Sequence, residues 1–196
     1  ASEALRNDRE VVLTAVATHG GALWHAKKFR GDLAVVRTAV ASCGRALWYA
    51  SKALRNHREI VLTAVASHGL ALQYASEELR DDREVVLAAV ADCGRALGYA
   101  SEARRHDREV VLVAVVNHKD ALRCASMTLR VDYEVVNAAV NANRRAQRHV
   151  PGRLLRAQFV RAGPVETRLL FRHMPPPFAL PDELVAMHIL PNCHRD

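Results

Sequence analysis

A single phrase is spelled repeatedly along this chain. Residues 75–99 read ASEELRDDREVVLAAVADCGRALGY, and residues 50–74 read ASKALRNHREIVLTAVASHGLALQY. Six copies align, at 1–25, 26–49, 50–74, 75–99, 100–124 and 125–149; the second is one residue short, and the sixth fades into NANRRAQRH. No other feature restricts the fold so strongly. A unit this small cannot bury an apolar face alone, but stacked units can. The period therefore predicts an all-α solenoid of about six helix-pair layers over 1–149, each touching only its neighbours.

Within a copy, the pattern reads as two short helices. Asn7, Asn56 and Asp81 stand three residues before Glu10, Glu59 and Glu84, which is the spacing of a capping box. The following run, such as EVVLTAV, is apolar on nearly every side, as expected of a helix held between neighbours. Gly20, Gly44, Gly69 and Gly94 follow it, where a left-handed terminating residue is often required. The second helix, GRALWYASKAL in one copy, sets Ala46, Leu47, Ala50 and Leu54 along one stripe. The second copy lacks a residue and the glutamate of the capping box, so it should be the least regular layer.

Some charges recur in every layer. Arginine occupies the sixth position of all six copies, at Arg6, Arg30, Arg55, Arg80, Arg105 and Arg130. Asp8, Asp32, Asp82, Asp107 and Asp132 follow two residues later, with His57 as the exception. A catalytic site needs one special place, whereas these charges repeat. They are expected to be helix caps and salt bridges that tie the loops of successive layers.

Other positions are free to vary. Gly21, Trp24 and Lys28 fall at i, i+3 and i+7, as do Arg45, Trp48 and Lys52, then Leu70, Gln73 and Glu77, then Arg95, Gly98 and Glu102. That spacing is one helix face. Alanine, leucine and tyrosine hold the opposite face almost constant, so the variable face is expected to be open to solvent. Both tryptophans of the protein lie on it, in adjacent copies, among cations. Trp24, Lys28, Arg45, Trp48 and Lys52 are thus the candidate protein-binding residues, since exposed Trp and Arg are typical of interface hot spots. Tryptophans that merely cover the edge of a further layer are the competing explanation.

The residue before the terminating glycine alternates between two metal-ligand types: His19, Cys43, His68, Cys93, His118, then Asn143. Neighbouring helices lie about 8–10 Å apart, too far for two such side chains to share one zinc at bond lengths near 2.0–2.3 Å. No metal or other cofactor is expected. RGD at Arg30–Asp32 fills the arginine-to-aspartate slot of the repeat, and is read as coincidence with an adhesion tripeptide. No phosphate-loop, dinucleotide, zinc-protease or nucleophile-elbow string occurs, so the chain is expected not to be an enzyme. Ser51 and Ser76 recur with the period and read as helix positions.

The phrase ASEELRDDREVVLAAVADCGRALGYASEA resembles the helical repeat family known as domain of unknown function 4116 (DUF4116). The likeness covers about the first 150 residues and departs in the second copy, at AKKFRGDLAVVRTAV, and in the sixth. It implies helical repeats used for binding, and no particular activity.

Residues 150–196 form a different segment. All seven prolines lie at or after Pro151, so the stacked helices should end near residue 150. Residues 143–172 hold eight arginines against one glutamate, which accounts for the whole net charge of +7. This stretch, with Arg144, Arg145, Arg148, Arg153 and Arg156, is the candidate nucleic-acid-binding or anionic-surface element. A polar cap on the array is the plainer role for it. MPPPF reads as a stiff spacer. LPDELVAMHIL after it suggests a short helix near 181–190 and resembles the opening helix of an F-box, whose remainder is missing.

The four cysteines lie far apart without a CxxC pair, which fits reduced thiols and an intracellular, cytoplasmic location. Apolar runs are short and broken by charge, so no membrane span is expected. The sequence opens at Ala1 within a repeat, without a methionine, as a piece of a longer array would.

Overall fold

In the computed structural model the described residues are 3–118 and 120–142. Among them every regular element is helical. Six ten-residue helices form one row: α2 (Arg9–Thr18), α3 (Leu33–Ser42), α5 (Arg58–Ser67), α7 (Arg83–Asp92), α9 (Arg108–Asn117) and α10 (Tyr133–Ala142). Beside them runs a row of 3-10 segments, Gly20–Trp24, Gly44–Tyr49, Gly69–Tyr74, Gly94–Tyr99 and Ala121–Cys124. Short α-turns open several copies: α1 (Glu3–Arg6), α4 (Lys52–Arg55), α6 (Glu77–Asp81) and α8 (Glu102–His106). The principal contacts join each long helix and each 3-10 segment to those of the adjoining copies. This is the solenoid arrangement that the period requires.

The interior is aliphatic. Val35, Val36, Ala39 and Val40 of α3 are buried, and the equivalent residues of α5, α7, α9 and α10 are buried with them. Because α3, α5, α7 and α9 each lie between two other long helices, their valines serve both sides at once. Ala46, Leu47, Ala50 and Leu54 are also buried, as their stripe predicts. They do not share a helix, however. The 3-10 segment ends at Tyr49, Ala50 is extended (φ −65°, ψ 153°), and Ser51 starts α4. Each repeat is therefore three helical pieces rather than two. Ser51, Ser76 and Ser101 are N-caps, accepting from the N–H of Leu54, Leu79 and Arg104.

The same serines join the layers. The N–H of Ser51, Ser76, Ser101 and Ser126 donates to the carbonyl of Arg30, Arg55, Arg80 and Arg105 of the preceding copy, at 2.8–3.0 Å. The residue missing from the second copy falls at this serine. In its absence, Ala26 offers no side-chain cap and the turn Lys27–Phe29 is a 3-10 segment, where the third copy has α4.

Two local expectations are corrected. Except in α5, where His57 makes no side-chain cap, the cap of the long helix is the aspartate one residue after the capping-box position. Asp8 accepts from the N–H of Glu10 and Val11, and Asp32, Asp82 and Asp107 do the same in their copies. Asn56 and Asp81 instead accept the hydroxyls of Ser76 and Ser101. The glycines, in turn, do not stop the helix by a left-handed turn. The helix-ending residue is the extended His19, Cys43, His68 or Cys93, and the glycine opens the 3-10 segment. It is needed for close approach: a Cβ on Gly44 would lie 2.1 Å from the carbonyl oxygen of Ala64 in the next copy. At Gly20, Gly69 and Gly94 the distances to Ala39, Ala89 and Ala114 are 2.1–2.3 Å.

Salt bridges do tie successive layers, but from a different arginine. Arg9, Arg58, Arg83 and Arg108, at the start of the long helices, reach Asp32, Asp82, Asp107 and Asp132 of the following copy. Arg58, Arg83 and Arg108 also engage Glu84, Glu109 and Glu134. Capping backbone N–H groups and the arginine partners together hold these aspartates below the usual carboxylate range, the Val135 N–H being the largest cause for Asp132. For Asp32 the Arg9 hydrogen bond is the largest cause; for Asp82 and Asp107 burial pushes upward, and backbone N–H and arginine partners outweigh it. The ladder is interrupted once. Leu33 stands where the first, third, fourth and fifth copies have arginine, and His57 stands where its aspartate partner would be.

Candidate functional site

The variable face lies along the 3-10 segments and the turns that follow them. A 3-10 segment has three residues per turn, so within GRALWY the positions of Arg45 and Trp48 stand one above the other. Both point away from the buried pair Ala46 and Leu47. Trp24 is 52% exposed and Trp48 is 57% exposed, and Lys28, Arg45 and Lys52 are exposed beside them.

Each indole leans on the next layer. Trp24 meets Tyr49 edge-on, with ring centroids 5.5 Å apart and planes at 66°; Trp48 meets Tyr74 in the same way at 5.1 Å. The tyrosines thus belong to this ridge, half-exposed, and not to the opposite buried face. The WY pair within the repeat carries the signal, because adjacent residues of a 3-10 turn cannot occupy opposite faces. Sequence reasoning also missed Arg30. Its guanidinium stands over both the Trp24 ring (5.8 Å) and the Tyr49 ring (6.0 Å), and donates to the Trp24 carbonyl. Such cation–aromatic contacts hold an exposed ring in one orientation.

Later copies keep the position and change its chemistry. Where Trp24 and Trp48 stand, the third and fourth copies have Gln73 and Gly98, and Cys124 fills the tyrosine position opposite Gly98. A Cβ on Gly98 would lie 3.3 Å from the Cys124 sulfur. Burial raises the pKa of that thiol.

The remaining candidates separate clearly. His19, Cys43, His68, Cys93 and His118 lie one per layer, and among the described residues no three potential metal-ligating side chains converge. Asp32 of the RGD string caps α3 and takes the Arg9 bridge. Among the described residues no helix is long and apolar enough to cross a membrane. Arg144, Arg145, Arg148, Arg153 and Arg156, Asn143, Cys193 and the stretch 181–190, where a short helix is expected, lie outside the described residues.

Comparison with known proteins yields one relationship. Residues 8–55 and 57–103 each match the sequence model of a domain of unknown function, DUF4116. No curated protein and no solved structure matches the chain. The two matches fall on consecutive stretches of the helical array, so residues 8–103 belong to the DUF4116 repeat family.

Proposed function

We propose that this protein is a non-enzymatic repeat scaffold that binds a protein partner on the ridge formed by Trp24, Lys28, Arg45, Trp48 and Lys52. One observation carries the reading: the only two tryptophans in the chain are more than half exposed, in adjacent layers, each steadied by a tyrosine of the next layer. A steadied aromatic loses little conformational freedom on binding and brings a large apolar area, the usual character of a hot spot.

A second reading is supported by charge. The arginines of 143–172 would supply sequence-independent affinity for nucleic acid or an anionic surface, with the array as scaffold.

Affinity capture with the wild type and the Trp24→Ala/Trp48→Ala protein, at low and high salt, separates the two. A protein complex that tolerates salt and weakens by ~2 kcal/mol or more, about thirtyfold, in the double variant supports the first. Equal capture by the folded variant overturns it, and nucleic acid released by salt supports the second.

A further inference from the structure

Charge along the ridge is polarised. Between Gly20 and Gly31, and again between Gly44 and His57, the chain has no aspartate or glutamate, while Lys27, Lys28, Arg30, Arg45, Lys52 and Arg55 fall there. At the positions equivalent to Lys27 and Lys52, the next two copies carry Glu77 and Glu102, all four side chains being exposed. The cations beside the tryptophans also differ from those of the bridging ladder. Arg58, Arg83 and Arg108 are each engaged by carboxylates of the next layer. Lys28, Arg45 and Lys52 have no carboxylate partner among the described residues.

We propose that this face, on the binding role argued above, takes a short acidic segment of a protein partner. An apolar side chain of that segment sits against the two indoles, and its carboxylates sit beside Lys28, Arg45 and Lys52. Indoles exclude water from one side of each ion pair, which strengthens the charge-assisted hydrogen bonds made there. The length of the segment follows from the layers. The acid-free strip spans two of them at about 8–10 Å each, and the exposed carboxylates of Glu77 and Glu78 come next. A nucleic acid strand, uniformly anionic, would run into those carboxylates.

The two tryptophans make the test direct, because indole emission reports this face alone. Random short peptides lacking tryptophan are selected on the full chain, with counterselection on Trp24→Ala/Trp48→Ala. Expected are peptides rich in Asp and Glu around an apolar residue, which shift the tryptophan emission saturably. Lys28→Glu/Lys52→Glu should weaken them by about tenfold or more, since like charges then face each other. Unchanged circular dichroism shows that this variant keeps its fold. Selected peptides without acidic enrichment, binding indifferent to the charge reversal, or an oligothymidylate that shifts the emission as strongly would each overturn the proposal. If the partner captured above depends on the tryptophans but not on Lys28 and Lys52, the surface stands and the acidic partner fails. If capture ignores the tryptophans, the surface itself fails.

Discussion

The Arg58 guanidinium holds Asp82 of the following repeat at 3.0 Å, while Asp82 caps its own helix through the N–H groups of Glu84 and Val85. One aspartate therefore ends one helix cleanly and anchors the layer before it. At the junction of the second and third copies this device is missing from both sides, since Leu33 replaces the arginine and His57 the aspartate. Leu33 is 46% exposed, and His57 makes no side-chain cap. His57→Asp should stabilise the array by about 0.5–2 kcal/mol, the value of an N-cap. Leu33→Arg should add to this only when His57→Asp is present. A double-mutant cycle by denaturant unfolding measures both, and strict additivity of the two would exclude the bridge.

The glycines provide a sharper contrast. Gly44→Ala and Gly69→Ala force a methyl against backbone oxygen, which cannot swing aside, and each should cost about 1–3 kcal/mol or more. Gly21→Ala meets nothing within 4 Å and should be neutral, or stabilising by about 0.4–1 kcal/mol. Melting curves of the three variants suffice, and equal losses at Gly21 and Gly44 would contradict the close-approach account.

Acid should loosen the stack. The folded-state pKa of Asp32, Asp82, Asp107 and Asp132 is depressed, so their stabilisation is fully present above the unfolded value of about 3.9. It is lost as pH falls below that value and through the lowered folded pKa values. The melting temperature should fall steeply in that window, and His57→Asp should make the fall steeper. A flat profile there would show that these aspartates contribute little.

The second layer lacks the serine cap and the inter-layer bond that goes with it, and their restoration is testable. Inserting serine between Ala26 and Lys27 should turn Lys27–Phe29 into an α-turn and slow its amide exchange. In the unaltered protein, amides of the second copy should exchange faster than those of residues 75–99. Conversely, Ser76→Ala should cost about 0.5–2 kcal/mol through loss of the cap.

Much of this architecture was legible because the chain compares itself with itself. Repetition separated Val85, Ala89 and Leu97 from Trp48 and Gln73, and those two groups are the interior and the ridge. What sequence could not separate were neighbours of like chemistry. Asp81 and Asp82 both satisfy cap spacing to within a residue, and only backbone conformation chooses Asp82. Arg55 and Arg58 both recur, yet the second reaches the next layer, a matter of three-dimensional register. The break after Tyr49 was hidden because Ala50 and Ser51 suit a helix locally, and the hydrogen bond that holds Ser51 extended comes from another copy. The ridge itself was visible as variability, whereas Arg30 over Trp24 depended on a contact between fixed and variable positions.

The layers are spaced by main-chain contacts: glycine against an alanine carbonyl, and serine N–H to an arginine carbonyl. Those distances do not depend on which side chains stand at positions 24, 48, 73 and 98. The array is therefore a ruler with evenly placed marks, and the lettering at each mark can be rewritten without moving it. An indole, an amide or a bare glycine can occupy the same station, so recognition in such a chain can diverge by single substitutions while the spacing between stations stays constant.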